Sequence, residues 1–206
     1  MKAITPVLII ALAACTQPAP APDTAVVDNT APLTLSANDS LDALTRGGAI
    51  ATTVAQGLAQ RLQAQLKEKG AAGALDFCSQ TALVLTDSLT ADQPGVSVKR
   101  TSTRIRNPRN QPDEHERLAL AWFDSARAAS GALPAAYVQP VSATEARFYR
   151  PLVIAPFCTQ CHGEVEKLDP QVRAALQQRY PNDQGIGYKE GDVRGVIRVS
   201  LPRSQP

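Results

Sequence analysis

Two cysteines separated by two residues and followed at once by a histidine, in the stretch FCTQCHG (157–163), constrain this chain more than any other feature. The stretch holds two of the four cysteines and one of the two histidines of the 206-residue sequence. Three kinds of site use such a pattern: a covalently attached c-type haem, a redox-active dithiol and part of a zinc site. The other cysteines, the other histidine and the compartment have to decide between them.

Covalent haem attachment uses every part of the pattern. The sulfurs of Cys158 and Cys161 can reach the two vinyl groups of one porphyrin, and the imidazole of His162 then lies under the ring, where it can bind iron. A thioredoxin-like dithiol does not need the histidine. A structural zinc site needs two more ligands, usually paired, whereas Cys78 and His115 are far apart in the sequence. We therefore predict one haem c, with a thiol oxidoreductase and a metal-binding lipoprotein as alternatives.

The N-terminus is typical of an exported lipoprotein. One lysine precedes an apolar stretch, Val7–Leu12, and small residues follow up to Cys15. The stretch is too short for a permanent membrane helix. The sequence Leu-Ala-Ala-Cys resembles a bacterial lipobox, which predicts a signal peptide over residues 1–14 and a lipid on Cys15. Thr16 rather than an aspartate follows, which slightly favours the outer membrane. We expect a periplasmic protein held to the membrane by lipid alone, in a compartment where haem c is attached.

The rest of the chain divides into a tether and one domain. Residues 15–37 are rich in Pro, Ala and Thr and have no apolar period, so we expect a tether. Residues 38–204 suffice for one domain with its own core. The formal net charge is +2 and the basic residues are scattered, which argues against a nucleic-acid partner. No Ser/His/Asp or paired-carboxylate arrangement stands out, so we do not expect an enzyme.

Helical patterns come first in this domain and strand patterns concentrate later. Cys78 falls on the apolar face of the second predicted helix. The last strand follows a predicted hairpin turn at residues 190–192. This order predicts an α+β fold with an antiparallel sheet, a long N-terminal helix and further packed helices. The predicted helices cover about 38–69, 74–89, 112–131 and 169–180, and the extended segments cover 96–101, 145–155 and 193–201.

The second axial ligand of the haem stays open on residue chemistry alone. The only methionine is Met1, which leaves with the signal peptide, so a histidine–methionine pair is excluded. His115 begins a predicted helix among charged residues, where a histidine is usually solvated. Cys78 is in a position where a cysteine often serves as a small buried hydrophobic residue. A lysine or an open face would also fit these patterns.

Four separated stretches together resemble a family of PAS-like c-type haem domains, found as stand-alone periplasmic proteins and as sensor segments of bacterial kinases and chemoreceptors. They occur in the family's order and are GALDFCSQTA (73–82), VKRTSTRIRNPRNQPDEHE (98–116), FCTQCHG (157–163) and GYKEGDVRGVIRVSLP (187–202). The resemblance implies a PAS-like fold. It also implies that His162 and a cysteine of an N-terminal helix ligate the iron, and Cys78 is the matching position.

Ligation by Cys78 would have functional consequences. A thiolate stabilises ferric iron and lowers the potential, and its loss on reduction would open a site for NO or CO. The accompanying movement of its helix would be a switch. We therefore expect a redox or small-gas sensor that acts on an unidentified redox or signalling partner. A low-potential electron carrier is the alternative.

Five further residues are candidate haem contacts. An arginine of the loop RIRNPRN could pair with a propionate, although a solvated loop would explain it too. Four aromatic residues could pack on the ring, although ordinary core positions would explain them equally well. These candidates are Arg106, Trp122, Phe148, Tyr149 and Phe157.

Overall fold

The described part of the chain, in a computed structural model, comprises residues 33–88 and 91–203, without the side chains of Thr81, Leu83 and Leu85. The predicted signal peptide, Cys15 and most of the predicted tether lie outside these residues. The helices are α1 (Ala37–Asp42), α2 (Gly48–Asp76), α3 (Ala82–Ser88), α4 (Glu114–Ser130), α5 (Thr159–His162) and α6 (Pro170–Arg179), and the strands are β1 (Ser97–Thr101), β2 (Tyr137–Pro140), β3 (Glu145–Val153) and β4 (Val193–Pro202). None of these helices combines the length and the apolar character that crossing a membrane requires.

The four strands form one antiparallel sheet in the order β1-β4-β3-β2. The predicted α+β class is therefore confirmed. The sequence pattern did not predict β2, a strand of four residues that ends in a proline. The predicted hairpin is also absent from the described residues, because β4 pairs with β1 and β3 and not with the segment before the turn. That segment instead binds the Cys-His motif: the amides of Gly187 and Tyr188 donate to the carbonyls of Gly163 and His162.

The two faces of the sheet pack against different helices. Ile197 of β4 lies in one apolar cluster with Val54 and Leu58 of α2, whereas the preceding Val196 lies in another cluster with Phe123 of α4. This alternation follows from the period of two along a strand. Full burial of such side chains stabilises the fold by roughly 1.5–3 kcal/mol each. Helices α2 and α4 therefore cover opposite faces of the sheet.

The long helical segment before β1 is not continuous. Helix α2 kinks at Gly70, where φ is +67° and ψ is 179°, a backbone conformation that glycine tolerates. This kink lies where the sequence predicts a break between two helices. Beyond it, the helix continues to Asp76 and passes through one π-helical turn, Phe77–Thr81, into α3. Cys78 lies in that turn.

Helix α4 is fixed to the sheet by a buried carboxylate. Its first turn has a capping box, in which Asp113 Oδ1 accepts from the amide of Glu116 at 2.8 Å and Glu116 Oε2 accepts from the amide of Asp113 at 2.9 Å. The fully buried Glu116 also pairs with Lys99 of β1 at 2.7 Å and with Arg198 of β4 at 3.2 Å. One side chain thus joins the helix start to two strands.

Candidate functional site

The Cys-His motif forms a single helical turn, α5, entered from a 3₁₀ turn at Pro156–Cys158. The spacing of i, i+3 and i+4 places the side chains of Cys158, Cys161 and His162 on one face of that turn. Gly163 ends it, and a Cβ added there would lie 2.5 Å from the carbonyl oxygen of Thr159, so a larger residue would disturb the turn. The motif therefore presents two sulfurs and an imidazole in the same direction.

The ring of His162 is held in one tautomer. Its Nδ1 lies 2.6 Å from the carbonyl oxygen of Gly185, and a carbonyl only accepts, so Nδ1 carries the hydrogen. Arg194 Nε is 3.4 Å from the same nitrogen, but two N–H groups cannot bond each other. Burial, with the charges of Arg106 and Arg194, holds the pKa of His162 well below its usual range. The imidazole is therefore neutral, and Nε2 has a free lone pair that can bind a metal.

Arg106 fastens the motif to the loop before β4. Its Nη2 donates to the carbonyls of Cys161 at 2.5 Å and Gly185 at 3.1 Å, and its Nε pairs with Asp183 at 2.9 Å. Both side chains of the ion pair are 8% exposed. Arg106 is therefore buried rather than part of a solvated loop, and its Nε and Nη2 are bonded to acceptors of the protein.

Two further arginines enclose the same loop. The guanidinium of Arg104 lies over the ring of Tyr188 at 4.1 Å and donates to the carbonyl of Ile186. Arg194 of β4 donates to Ser102 Oγ at 2.7 Å and to the carbonyl of Arg104 at 2.9 Å. Tyr188 is buried between both arginines and meets the ring of His162 edge to face at 6.5 Å. The sequence analysis did not assign Arg194 or Tyr188 to the site, because their sequence context contains no local signal for it.

Cys78 lies close enough to the Cys-His motif to affect the pKa of Cys161. Burial raises the pKa of Cys161 to about 11, and the nearby Cys78 adds to this rise. Burial also raises the pKa of Cys78, against the lowering effect of Arg100 and Arg106. Arg106 thus acts on Cys78, Cys161 and His162 alike. The half-buried Cys78 lies in a π-helical turn, an irregularity that is frequent at functional sites.

The motif also packs against the part of α2 beyond the kink. Cys161 borders an apolar cluster formed by Leu75 of α2 and by residues of α6, including Val172 and Leu176. The Sγ of Cys161 lies 4.0 Å from the carbonyl oxygen of Ala71. Burial raises the pKa of Cys158 as well, so the thiols of the motif are neutral in this form of the chain. Residues 71–78 therefore join the site to the long helix.

Arg100 is a third residue of this region that the predicted site did not include. It lies opposite Ile197 in the sheet, so its side chain points to the face that α2 covers. Its Nε is buried without a hydrogen-bond partner, and burial lowers its pKa. The sequence did contain a signal for this position. Arg100 continues, at every second residue of the predicted strand, the row of core-facing side chains formed by Val96 and Val98. An arginine at such a position is unusual enough to indicate a special role.

The remaining candidates are spread over both faces of the sheet. His115 is on α4, across the sheet from the Cys78 turn, and its Nδ1 is buried without a partner. Trp122 stacks on Tyr137 at 4.4 Å, and the hydroxyl of the buried Tyr149 donates to Gln139 Oε1 at 3.0 Å, both on the α4 face. Among the aromatic candidates, these two are therefore separated from the Cys78 turn by the sheet.

The other two aromatic candidates lie nearer to that turn. Phe148 is buried in the α2 face of the sheet, in the cluster that Phe77 borders. Phe157 is half-buried in the turn that leads into the motif. Within residues 33–88 and 91–203, the three cysteines Cys78, Cys158 and Cys161 are free thiols. No three His, Cys, Asp or Glu side chains of those residues lie together as a metal-binding group.

Comparisons with known proteins identify the family to which the chain belongs. No curated protein matches it. The crystal structure of the cyanobacterial haem protein Tll0287 matches with a TM-score of 0.55 and 22% sequence identity, over 84% of this chain and 99% of that chain. At this identity the match shows a common fold, with the long N-terminal helix and the four-stranded sheet. The model of the Tll0287-like family matches residues 28–202, which include the Cys78 turn and the Cys-His motif. The chain therefore belongs to the Tll0287-like family.

Proposed function

We propose that this chain is a lipid-anchored periplasmic protein with one haem c, bound through Cys158 and Cys161 and ligated by His162 and Cys78, which senses redox state or a small gas. The observation that carries the haem assignment is the hydrogen bond from His162 Nδ1 to the carbonyl of Gly185. It fixes the tautomer whose Nε2 can bind iron, in a turn that presents both sulfurs on the same side.

The residues around the motif fit a haem. Membership in the Tll0287-like family agrees with this cofactor, because its solved relative is a haem protein. The buried and unpartnered Nε of Arg100 fits an anionic group at the site, and both a propionate and a thiolate are anions. Cys78 is the free thiol that lies near Cys161 without belonging to the motif. This position supports Cys78 as the second axial ligand, a choice that residue chemistry alone left open.

The positions of the proposed ligands support the sensor role. When bound, haem c supplies one-electron redox chemistry and an iron that can take up small gases once a ligand leaves. His162 lies on a turn that Gly163, Arg106 and the loop before β4 hold in place. Cys78 instead lies in a π-helical turn beyond the Gly70 kink. The proposal assigns the fixed ligand to His162 and the exchangeable ligand to Cys78, so that ligand exchange moves α3 and the end of α2.

The proposed location depends on the first residues of the sequence, which lie outside the described ones. Val7–Leu12 followed by Leu-Ala-Ala-Cys supports export and attachment of a lipid to Cys15. In a Gram-negative host, the protein should fractionate with membranes, and Cys15→Ser should abolish lipid labelling. Labelling that survives this substitution would contradict the proposal.

Absorption and electron-paramagnetic-resonance spectra of the matured protein in both oxidation states test the function. A sensor should show a low-spin ferric haem with a thiolate ligand, and a reduced form that has lost the thiolate and binds CO or NO. Unchanged ligation on reduction, with fast reversible electron transfer, would identify an electron carrier instead. A colourless protein from a cytochrome-maturing host would overturn the haem assignment and favour a thiol oxidoreductase or a metal-binding lipoprotein.

A further inference from the structure

Arg100 has a buried guanidinium nitrogen without a partner. Its Nε is fully buried and has no hydrogen-bond partner within residues 33–88 and 91–203. Removing a charged group from water without pairing it costs several kcal/mol. A folded protein therefore retains such an arginine where an anion is supplied to it.

The carboxylates near the site are engaged elsewhere. Asp183 pairs with Arg106, and Glu116 lies on the α4 face with Lys99 and Arg198. Neither of these two carboxylates is bonded to Arg100.

The Cys78 turn packs on the face of the sheet to which Arg100 points. The side chain of Arg100 points to the α2 face of the sheet, where Phe77 and Ala82, on both sides of Cys78, pack in the apolar cluster with Ile197. Burial raises the pKa of Cys78 and the charge of Arg100 opposes this rise, which agrees with that placement.

We propose that Arg100 is a positioning residue for the axial ligand and that its guanidinium donates a hydrogen bond to the Cys78 sulfur. This inference rests on the proposed function, because it takes Cys78 as a haem ligand. A positive donor at the sulfur weakens electron donation to ferric iron, so Arg100 raises the potential above that of an unassisted thiolate. It also compensates the buried negative charge of the ligand.

The test is a double-mutant cycle on the haem-loaded protein. Arg100→Met should shift the ferric–ferrous equilibrium at least about tenfold towards the ferric form, which is about 59 mV for a one-electron couple. The same substitution in a Cys78→Ser background should shift it less than about twofold. Arg100→Gln, which keeps the polar character without the charge, should reproduce the shift if the methionine variant does not fold. Arg109→Met serves as the control, because Arg109 is an exposed arginine that lines the same cleft as Arg100.

The possible outcomes distinguish a failure of this inference from a failure of the proposed function. An equal shift with and without Cys78 would mean that Arg100 serves another anion, such as a propionate, and would overturn it. An unchanged potential in Arg100→Met, beside an intact thiolate spectrum of the parent protein, would overturn the inference alone. A parent protein without a thiolate ligand would overturn both.

Discussion

The carbonyl oxygen of Cys161 accepts a hydrogen bond of 2.5 Å from Nη2 of Arg106, a residue 55 positions earlier in the sequence. The same guanidinium binds Asp183 and the carbonyl of Gly185, which in turn accepts from His162. One arginine from the loop after β1 thus joins the turn that carries Cys161 and His162 to the loop before β4.

Replacing Arg106 with methionine should lower the free energy of unfolding by about 3–5 kcal/mol, because it leaves the buried Asp183 carboxylate without its partner. Urea denaturation of the haem-loaded protein measures this loss. Arg109→Met, an exposed arginine in the same loop, should cost less than about 0.5 kcal/mol. Adding Asp183→Asn to Arg106→Met should recover part of the loss, and a double variant as unstable as the sum of both single variants would contradict the pairing.

Replacing Cys78 with serine should remove the thiolate absorption pattern of the ferric protein and raise its potential, because a neutral hydroxyl stabilises ferric iron less than a thiolate does. The matched variant is His115→Gln, which removes the other histidine on the far side of the sheet. It should leave both spectra and potential unchanged. Unchanged spectra in Cys78→Ser, together with altered spectra in His115→Gln, would instead identify His115 as the ligand.

Replacing both Cys158 and Cys161 with serine should abolish covalent attachment, which intact-protein mass spectrometry after denaturation detects. Each single substitution should leave one thioether and shift the absorption bands of the reduced haem, because one vinyl group stays unreacted. Cys78→Ser should keep the full covalent mass, since an axial ligand forms no thioether. A covalent adduct in the Cys158/Cys161 double variant would contradict the attachment site.

Replacing Glu116 with glutamine should destabilise the domain by about 3–5 kcal/mol, because Lys99 and Arg198 then face each other without a carboxylate. Glu114→Gln is the control, because Glu114 is an exposed acid in the same turn of α4. Thermal unfolding compares the two. The haem spectra should be the same in both variants, because α4 covers the face of the sheet away from Cys78. An altered ferric spectrum in Glu116→Gln would contradict that separation.

The sequence predicted those parts of the fold that depend on local patterns. The glycines Gly70 and Gly73 predicted the break between two helices, alternation predicted β1, and the turn at residues 190–192 predicted the start of β4. The hairpin prediction was wrong because the amides of Gly187 and Tyr188 bind the Cys-His motif and not β4. Such tertiary contacts leave no local pattern in the sequence. The prediction of the site residues had the same limit. Cys158, Cys161 and His162 form a contiguous motif, whereas Arg194 and Tyr188 come to it only through folding.

The strand order has a consequence for the timing of assembly. Among the described strands, β4 comes last in the chain, yet it lies between β1 and β3. Until residues 193–202 have been synthesised, the first strand has no neighbour and the sheet cannot close. Closure of the sheet therefore depends on contacts between segments that are far apart in the chain, and such contacts form slowly during folding.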